Sequence, residues 1–431
     1  MLAPQPTMKS LLDKIFSRSN NLDYVSRHIK DLTKKTPAHK IFEAIKSYSS
    51  NSEVRYVGGC IRKIIKKEKV DDIDLATNLE PDQVCKILKQ KKINYYETGI
   101  EHGTITALID NYKFEITTLR KDIFTDGRHA KVQFSLNWKD DASRRDFTIN
   151  SIYSDEEGNL FDPFDGKKDL DNGYVNFIGE ADLRIKEDYL RILRYIRFFI
   201  NYSNQPHSSE ITSKLRKNLV GVAKLSKDRL YTELKKIIKL ENLIKLSKDK
   251  LSLELILFIF PELKNFNIFK KLDLKKKEIL KDVDFFFLLS LLIVDETDNV
   301  DYFLYKYNIS NKDNKRIKNI HNFFKEKINS KTFAKKNIDK YFYYEGYQAV
   351  KDVLIFKIIK SKMIDESLLD LCNQYKNKPI PKMPIGADFL MKKYRISEGK
   401  QLGLKLKKIE EAWVNNNFNI SDQQIDNIVQ N

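Results

Sequence analysis

The pattern of apolar and polar positions divides the chain at about residue 175. Before that point, short runs of alternating or apolar residues are typical of strands, and stretches with helical spacing lie between them. The predicted strands are VRYV (54–57), DIDLAT (72–77), GTITALI (103–109), YKFEITTL (112–119) and GNLFDPF (158–164), the last leading into a turn. The predicted helices are AHKIFEAIKSY (38–48), CIRKIIKKE (60–68), PDQVCKILKQKK (81–92) and ASRRDFTINSIY (142–153). Strands interleaved with helices indicate an α/β domain.

From about Glu180 onward the alternation disappears, and apolar residues recur every three or four positions. This spacing predicts helices to the end of the chain, as in EDYLRILRYIRFFI (187–200), DRLYTELKKIIKL (228–240) and LSLELILFIFPEL (251–263). The longest apolar run, FFFLLSLLIV (285–294), is about half the length of a membrane span, so it predicts a buried helix and no membrane association. The second half is therefore predicted to be all-helical.

Composition narrows the class of protein only slightly. At about 150 residues per domain, 431 residues predict roughly two to four domains. The net charge of +18 fits a polyanionic partner, but it also fits a lysine-rich surface with no such partner. Three widely spaced cysteines argue against a disulfide framework and a zinc site, and the first residues show no secretory signal. We expect a cytoplasmic protein.

Two aspartates in DIDLAT form the first candidate site. Asp72 and Asp74 are two positions apart on a strand and share a face, with Ile73 turned into the core. Carboxylates this close repel each other unless a cation lies between them, and Mg²⁺ prefers such oxygen ligands. The alternative is a turn with solvated aspartates.

Two further stretches upstream and downstream of this strand bear on the same chemistry. In YVGGCIRK a strand ends at Gly58 and Gly59 and a helix follows, so backbone N–H groups and Arg62 are placed to bind phosphate. An ordinary strand-to-helix turn is the alternative. Glu115, on the strand KFEITTL, is a third acidic candidate, although a solvated strand position is equally consistent with the pattern.

The stretch RRDFTIN (144–150) places arginines beside an aspartate. We expect Arg145 to hold phosphate, and Asp146 or Asn150 to bind a ribose hydroxyl. A surface Arg–Asp pair of small energetic consequence is the alternative.

The helix EDYLRILRYIRFF carries the most unusual pattern of charges. Asp188, Arg191, Arg194 and Arg197 recur every three residues beside a packed apolar face. Buried arginines are costly without an anion, and Asp188 with Arg191 offers an acceptor and a donor edge to a nucleobase. A structural ladder of salt bridges is the alternative.

These motifs occur in one order, and that order resembles a known family. GGCIR, DIDLAT, HGTIT, FEITTLR, RRDFTINSIY, FDPFDGKKDL and RIKEDYLRILRYIRF together resemble the class II tRNA nucleotidyltransferases, the CCA-adding enzymes, over roughly residues 50–240. The resemblance implies an α+β fold, with a polymerase-β-type nucleotidyltransferase head of mixed sheet and helices followed by an all-α neck, body and tail. The expected parts are an N-terminal extension (1–37), the head (38–175), the neck (176–240), and a tRNA-binding body and tail (241–431).

The resemblance also assigns roles to the candidate residues. It implies addition of CCA to the 3′ end of tRNA from CTP and ATP, with release of pyrophosphate and without a DNA or membrane partner. Mg²⁺ falls on Asp72 and Asp74. The nucleotide falls on residues of the glycine turn, the Arg-Asp motif and the base-reading helix: Gly59, Arg62, Arg145, Asp146, Glu187, Asp188, Arg191, Arg194 and Arg197. Gly58 and Asn150 are predicted to bind the nucleotide from their places in YVGGCIRK and RRDFTIN.

Two departures from the family pattern stand out. Lys63 occupies the position after Arg62 where the family usually has an aspartate, which puts any role of that carboxylate in doubt. The chain also contains no His-Asp dipeptide, so we expect no phosphohydrolase activity of the kind some relatives carry.

Other functions remain open at this level. ETGIEHGTIT (97–106) favours the tRNA enzymes over poly(A) polymerases, and the loop with TDGRHAKVQF (125–134) favours complete CCA addition over addition of CC or A alone. A non-catalytic RNA-binding protein would gain nothing from clustered carboxylates. A small-molecule nucleotidyltransferase would not need a large basic helical half.

Overall fold

The structure, a computed structural model, describes residues 24–125, 130–295, 297–325 and 333–430. Contacts divide these residues into two compact units that meet in sequence between Leu234 and Lys235. Residues 1–23 of the expected N-terminal extension and residues 126–129 of the TDGRHAKVQF loop lie outside the described residues.

The first unit contains one mixed seven-stranded sheet. Its strands lie in the order β3-β4-β5-β2-β1-β8-β9, and β2 pairs with β5 in parallel while the other neighbours are antiparallel. A separate two-stranded ribbon is formed by β6 and β7. The strands are β1 (Val54–Val57), β2 (Ile73–Thr77), β3 (Asn94–Gly99), β4 (Thr104–Ile109), β5 (Tyr112–Thr118), β6 (Arg120–Thr125), β7 (Ala130–Phe134), β8 (Tyr153–Ser154) and β9 (Leu160–Phe161). The five strands predicted from the sequence are confirmed.

Helices surround this sheet and continue beyond it. They are α1 (residues 24–35), α2 (Ala38–Lys46), α3 (Gly59–Ile65), α4 (Pro81–Gln90), α5 (Trp138–Ser143), α6 (Gly166–Asn172), α7 (Ala181–Glu187), α8 (Leu190–Tyr202), α9 (Ser209–Asn218) and α10 (Lys227–Ile237). Short 3₁₀ turns occur at Ile100–His102, Thr148–Asn150 and Leu219–Lys224. Helix α4 begins at Pro81, as predicted, and Glu80 and Gln83 form a capping box at its start.

The prediction of a helix over residues 142–153 is wrong. Helix α5 ends at Ser143, and the chain then forms a turn, the 3₁₀ turn and strand β8. The cause is pairing with a distant segment: Phe147 forms a β-bridge with Phe177, and the backbone N–H of Thr148 donates to the carbonyl of Asn176 (3.0 Å). These hydrogen bonds replace the ones that a helix would make within the segment.

The helix predicted over EDYLRILRYIRFFI is confirmed from Leu190 onward, and a break at Asp188 and Tyr189 separates it from Glu187. Helix α7 ends at Glu187, Asp188 is extended (φ −153°, ψ 103°), and α8 begins at Leu190. The carboxylate of Asp188 accepts the backbone N–H of Leu190 (3.1 Å), which satisfies a donor at the start of α8. The predicted stripe from Asp188 to Arg197 is therefore not continuous, since Asp188 precedes the helix that carries the three arginines.

The second unit contains helices only, among the residues that the structure describes. They are α11 (Leu240–Leu246), α12 (Lys250–Ile259), α13 (Asn267–Lys270), α14 (Leu274–Leu280), α15 (Phe285–Ile293), α16 (Asn299–Lys306), α17 (Asn311–Lys325), α18 (Lys335–Lys360), α19 (Glu366–Lys376), α20 (Ala387–Tyr394), α21 (Lys400–Asn415) and α22 (Asp422–Gln430). Helix α15 is buried, as predicted. In the described ranges, no helix combines the length and the apolar character needed to cross a membrane. The predicted α+β fold, a mixed sheet followed by helices, is confirmed.

A close approach between α6 and the 3₁₀ turn positions the end of that turn. A Cβ added at Gly166 would lie 2.1 Å from the carbonyl oxygen of Thr148, so no side chain fits there. Asp162 caps the helix by accepting the backbone N–H groups of Gly166 and Lys167 (2.8 Å each), and Thr148 donates to Asp169 (2.6 Å). The motif FDPFDGKKDL thus fixes the turn that ends at Asn150.

We expect Gly166→Ala to lower the free energy of unfolding by about 2–3 kcal/mol, because the new methyl group meets backbone that cannot move aside. Gly403→Ala is the matched control. A Cβ at Gly403, within α21, meets nothing within 4 Å, so alanine there should raise stability by about 0.5–1 kcal/mol. Urea denaturation followed by circular dichroism measures both. Equal effects of the two substitutions would contradict the packing argument.

Candidate active site

A cavity of about 530 Å³ in the first unit is lined by ten of the eleven predicted nucleotide-binding residues, and Glu187 is not among its lining residues. This volume is in the range typical of small-molecule sites. Eight arginines and three aspartates are among its lining residues, so its formal charge is strongly positive. The lining residues are Gly58, Gly59, Arg62, Asp74, Arg120, Arg144, Arg145, Asp146, Asn150, Asp188, Leu190, Arg191, Arg194, Arg197, Phe198 and Arg229. A cavity of this charge suits a ligand with several negative charges.

The glycine turn forms one side of the cavity. Gly58 has φ +67°, a conformation that glycine adopts without strain, and its backbone N–H donates to the carbonyl of Ile152 (3.2 Å). A Cβ at Gly59 would lie 3.7 Å from Oδ2 of Asp74. The absence of side chains at this turn therefore leaves the start of α3 directly beside the carboxylate on β2.

Asp74 is the better enclosed of the two predicted metal ligands. Ile73 is buried on β2 and Asp74 is half-buried, whereas Asp72 is exposed just before the strand. Glu115 on β5 is exposed and lies beside Asp74 in the parallel register. Burial and the neighbouring Glu115 carboxylate raise the pKa of Asp74 to about 6. Asp74 and Glu115 thus lie side by side on two inner strands of the sheet, and Asp72 immediately precedes one of these strands.

The carboxylates of Asp72, Asp74 and Glu115 suit a cation whose coordination is completed by other ligands. Among the described residues, no three or more His, Cys, Asp or Glu side chains are arranged to hold a metal ion. Mg²⁺ is commonly held by one or two carboxylates, with substrate phosphates and waters as its other ligands. The raised pKa of Asp74 reflects burial first and the neighbouring Glu115 carboxylate second, and a bound cation would relieve the repulsion between the two carboxylates. The residues present therefore fit a magnesium ion that binds together with a phosphate ligand.

A chain of hydrogen bonds links helix α3, which follows the glycine turn, to helix α8. Arg62 donates to the side-chain oxygen of Asn150, and the amide of Asn150 donates to Asp146 (2.8 Å). Asp146 also accepts Nε of Arg194 (2.5 Å). Burial by itself raises the pKa of Asp146, but Arg194 and Asn150 outweigh burial and hold it well below its usual range. Four predicted residues thus form one connected network.

Arg145 belongs to a second network. Its guanidinium donates to the hydroxyl of Tyr153 (3.0 Å) and to Asp141 (3.2 Å), and it also contacts the carbonyl of Asn150 (3.4 Å). Arg144 donates to the same carboxylate of Asp141 (2.8 Å). The two adjacent arginines are therefore oriented by a single aspartate that the sequence reading did not single out.

The predicted base-reading residues lie at the junction of α7 and α8. Arg191 donates to Glu187 (2.6 Å) and to the carbonyl of Arg184 (2.7 Å). Asp188 accepts Nη2 of Arg229 from α10 (2.7 Å). The structure brings Asp188 and Arg191 to the same cavity, although they are held by different partners.

The remaining helix arginines surround one aromatic ring. The guanidinium groups of Arg62, Arg194 and Arg197 lie 4.8, 5.7 and 4.1 Å from the ring centre of Phe198. Arg197 also donates to Glu233 of α10, which is buried. The three arginines of α8 thus pair with carboxylates from three different segments, and all three still line the cavity.

Lys63 is the departure from the family pattern, and its side chain reaches the segment that precedes β2. Its ammonium group pairs with Asp71, whose carboxylate also accepts the backbone N–H of Asp72 (3.1 Å). In this chain the position after Arg62 therefore supplies a cation to the segment that enters β2.

Several residues around the cavity were not predicted as site residues. Arg120, Arg144 and Arg229 lie within the quoted motifs FEITTLR, RRDFTIN and DRLYTEL but received no role. Asp141 precedes Arg144 and Arg145 by three and four positions, a spacing that brings side chains together on a helix. That spacing was the available signal.

Comparisons with known proteins agree with this geometry. Residues 54–176, which lie within the first unit, match the family model described as Poly A polymerase head domain. A CCA-adding enzyme of Staphylococcus epidermidis is 30% identical over 291 residues, which are 65% of this chain and 68% of that protein. The chain belongs to the family of the CCA-adding enzymes.

Two further similarities define how far the comparison reaches. The human CCA tRNA nucleotidyltransferase 1, mitochondrial, is 46% identical over 191 residues, 44% of each chain. The chain thus spans less than half the length of this relative, and the same holds for the zebrafish and mouse proteins of that name. The crystal structure of the Bacillus stearothermophilus CCA-adding enzyme in complex with CTP shares the fold, with a TM-score of 0.65, 20% identity, and coverage of 88% of this chain and 92% of that one.

We expect Arg194→Ala to destabilise the protein by about 2–3 kcal/mol at neutral pH, because it leaves the buried Asp146 charge without its cation. The low pKa of Asp146 in the folded protein makes this pair stabilising above the ordinary pKa of aspartate, and that stabilisation is lost as pH falls below it. Without Arg194, burial dominates and raises the pKa, so the loss should shrink as pH decreases from about 7 toward about 4. Urea denaturation at several pH values measures it.

The control for this prediction is Lys186→Ala. Lys186 pairs with Asp182 (2.6 Å), but the lysine side chain is 47% exposed, so its removal should change stability little at any of these pH values. A loss in Arg194→Ala that does not vary with pH would show that the pairing of Asp146 is not its cause.

Proposed function

We propose that this protein adds CCA to the 3′ end of tRNA without a nucleic-acid template, using CTP and ATP and releasing pyrophosphate. The observation that carries the proposal is the cavity itself, where Asp74, beside Glu115 on the next strand, lies among eight arginines in a member of the CCA-adding enzyme family. In the reaction, the 3′ oxygen of the tRNA forms a bond to the α-phosphorus, and the bond from that phosphorus to the pyrophosphate oxygen breaks.

The carboxylates on and beside β2 fit a divalent cation, and we propose that Asp72 and Asp74 hold Mg²⁺. When bound there, the ion would activate the attacking hydroxyl and neutralise charge on the pyrophosphate. Glu115, which lies beside Asp74 in the parallel register, is proposed as the third carboxylate of the cation site. A partly buried Asp74 next to another carboxylate is consistent with this role, because a cation removes their repulsion.

The triphosphate is proposed to lie between the glycine turn and the arginines. Gly58 and Gly59 line the cavity without side chains, so a phosphate can approach the backbone at the start of α3, and Arg62 lies in the first turns of the same helix. Arg194 and Arg197 carry charge from the opposite side, each already oriented by a buried carboxylate. Positive groups that are fixed before the nucleotide binds lose little orientational freedom when it does.

The nucleoside is proposed to occupy the rest of the cavity. Arg145, Asp146 and Asn150 are assigned to the ribose, and Glu187, Asp188 and Arg191 to the base. Arg191 is held by Glu187, which fixes the donor edge that would meet a base. Asp188 already accepts Arg229, so one of its oxygens is shared between that arginine and any nucleotide amine.

Location and partners are part of the same proposal. We propose that residues 241–431 form the body and tail and bind tRNA through phosphate contacts, with a neck over 176–240 and a head over 38–175. A cytoplasmic location is proposed from the sequence, although three of the relatives carry mitochondrial names.

The first test uses a tRNA transcript that lacks its 3′ CCA, with Mg²⁺ and with each nucleotide alone or CTP and ATP together. Complete CCA addition predicts two C residues with CTP alone and termination after one A with both nucleotides. Sequencing gels resolve these products. A long A tail with ATP alone would favour a poly(A) polymerase instead, and termination after CC with both nucleotides would favour a partial activity.

We expect Asp72→Ala to reduce incorporation by at least about a thousandfold while the Kd for tRNA stays within about twofold of wild type, since the carboxylate acts on the reaction and not on the RNA backbone. Asp71→Ala is the matched control, because this neighbour pairs with Lys63 and is not assigned to the metal. Rates from single-turnover assays and Kd values from filter binding decide the question. A large loss of tRNA binding in Asp72→Ala would instead give that aspartate a structural role.

A further inference from the structure

Asp141 is a buried carboxylate with an unusual number of donors. Its side chain is 1% exposed, and its two oxygens accept from Arg144 (2.8 and 2.7 Å), Arg145 (3.2 Å) and the hydroxyl of Tyr153 (2.7 Å). The backbone N–H of Arg120 is 3.4 Å away from Oδ1. One aspartate thus contacts residues from the end of α5, the start of β6 and strand β8.

The arginines on Asp141 all face the nucleotide cavity, whereas Asp141 itself is not among the residues that line it. Arg120, Arg144 and Arg145 make up three of the eight cavity arginines. Two of them are adjacent in sequence and would repel each other if no anion lay between them. The carboxylate compensates this repulsion from behind, and Tyr153 closes the arrangement because its hydroxyl donates to Asp141 while accepting from Nε of Arg145.

We propose that Asp141 is a positioning residue for nucleotide binding, which acts by fixing the guanidinium groups of Arg145 and Arg144 toward the cavity. The inference rests on the proposed function and deepens it, since it assigns a new residue to the nucleotide site. Asp141 touches neither substrate nor metal in this account. Its contribution is to hold the two arginines in the orientation that the ligand meets. Burial opposes ionisation, yet the adjacent arginines lower the pKa of Asp141 to about 2, so the anchoring charge is present throughout the working pH range.

The experiment compares Asp141→Asn, Arg145→Ala and the double variant. Asparagine has nearly the same shape but lacks the charge. We expect it to raise the KM for ATP by about tenfold, the effect of a lost charge-assisted hydrogen bond, with a smaller change in kcat. If Asp141 acts through Arg144 and Arg145, the effects of Asp141→Asn and Arg145→Ala should be less than multiplicative in the double variant, and Asp141→Asn should add nothing in an Arg144→Ala/Arg145→Ala background. Multiplying effects in the double variant would overturn the proposal.

Binding of ATP without tRNA, measured by calorimetry, gives a second readout that does not depend on turnover. The same tenfold weakening and the same lack of additivity are expected there. The wild type could bind ATP, and the variants could show this lack of additivity, while no nucleotide is added to tRNA. In that case the proposed function fails while the role of Asp141 stands. A lower melting temperature with unchanged KM and unchanged ATP affinity would show a purely structural role and overturn the inference.

Two more variants complete the design. Asp140→Asn is the matched control: this neighbouring aspartate accepts from Ser135 (3.1 Å) and does not line the cavity, so KM should stay at the wild-type value. Tyr153→Phe covers the case in which Asp141→Asn fails to fold, since it removes only the hydroxyl between Asp141 and Arg145. We expect a rise in KM of about threefold that disappears in the Arg145→Ala background. A KM unchanged by Tyr153→Phe would count against the proposal.

Discussion

The pairing of buried carboxylates with arginines is the interaction on which the site depends. The Asp146–Arg194 pair joins the turn after α5 to helix α8, and the Arg197–Glu233 pair joins α8 to α10. Concentrated positive charge would be unfavourable in a partly enclosed cavity without such partners. The carboxylates therefore allow the arginines to be assembled before a ligand supplies its own negative charge.

This arrangement separates two electrostatic regions within one unit. On the paired strands β2 and β5, Asp74 and Glu115 are acidic neighbours, and burial together with Glu115 raises the pKa of Asp74 to about 6. Across the cavity, cationic groups surround Phe198 and the glycine turn. A nucleoside triphosphate with a divalent cation has the complementary distribution, since its phosphates meet the arginines and its cation meets the carboxylates. Gly59, which has no side chain, lies next to the carboxylate of Asp74 and so brings the two regions together.

Local pattern was sufficient where a segment's hydrogen bonds are made with its neighbours. The start of α4 at Pro81 and the neighbouring strands β4 and β5 were predicted correctly for this reason. The segment from Arg144 to Tyr153 was misread because its backbone pairs with Asn176 and Phe177, which are distant in sequence. Asp188 was placed on a helix for a related reason, since its break depends on capping α8 and on Arg229.

The sequence by itself determined the order of motifs, the division into a mixed sheet and a helical half, and the residue types that a phosphate and metal site needs. Those features follow from periodicity and side-chain chemistry, which are local properties of the chain. The tertiary structure alone decided that Asp146 pairs with Arg194, that Glu233 pairs with Arg197, and that Lys63 pairs with Asp71. Those partners are chosen by packing between elements that spacing along the chain does not specify, because an ion pair forms wherever the fold brings opposite charges within reach.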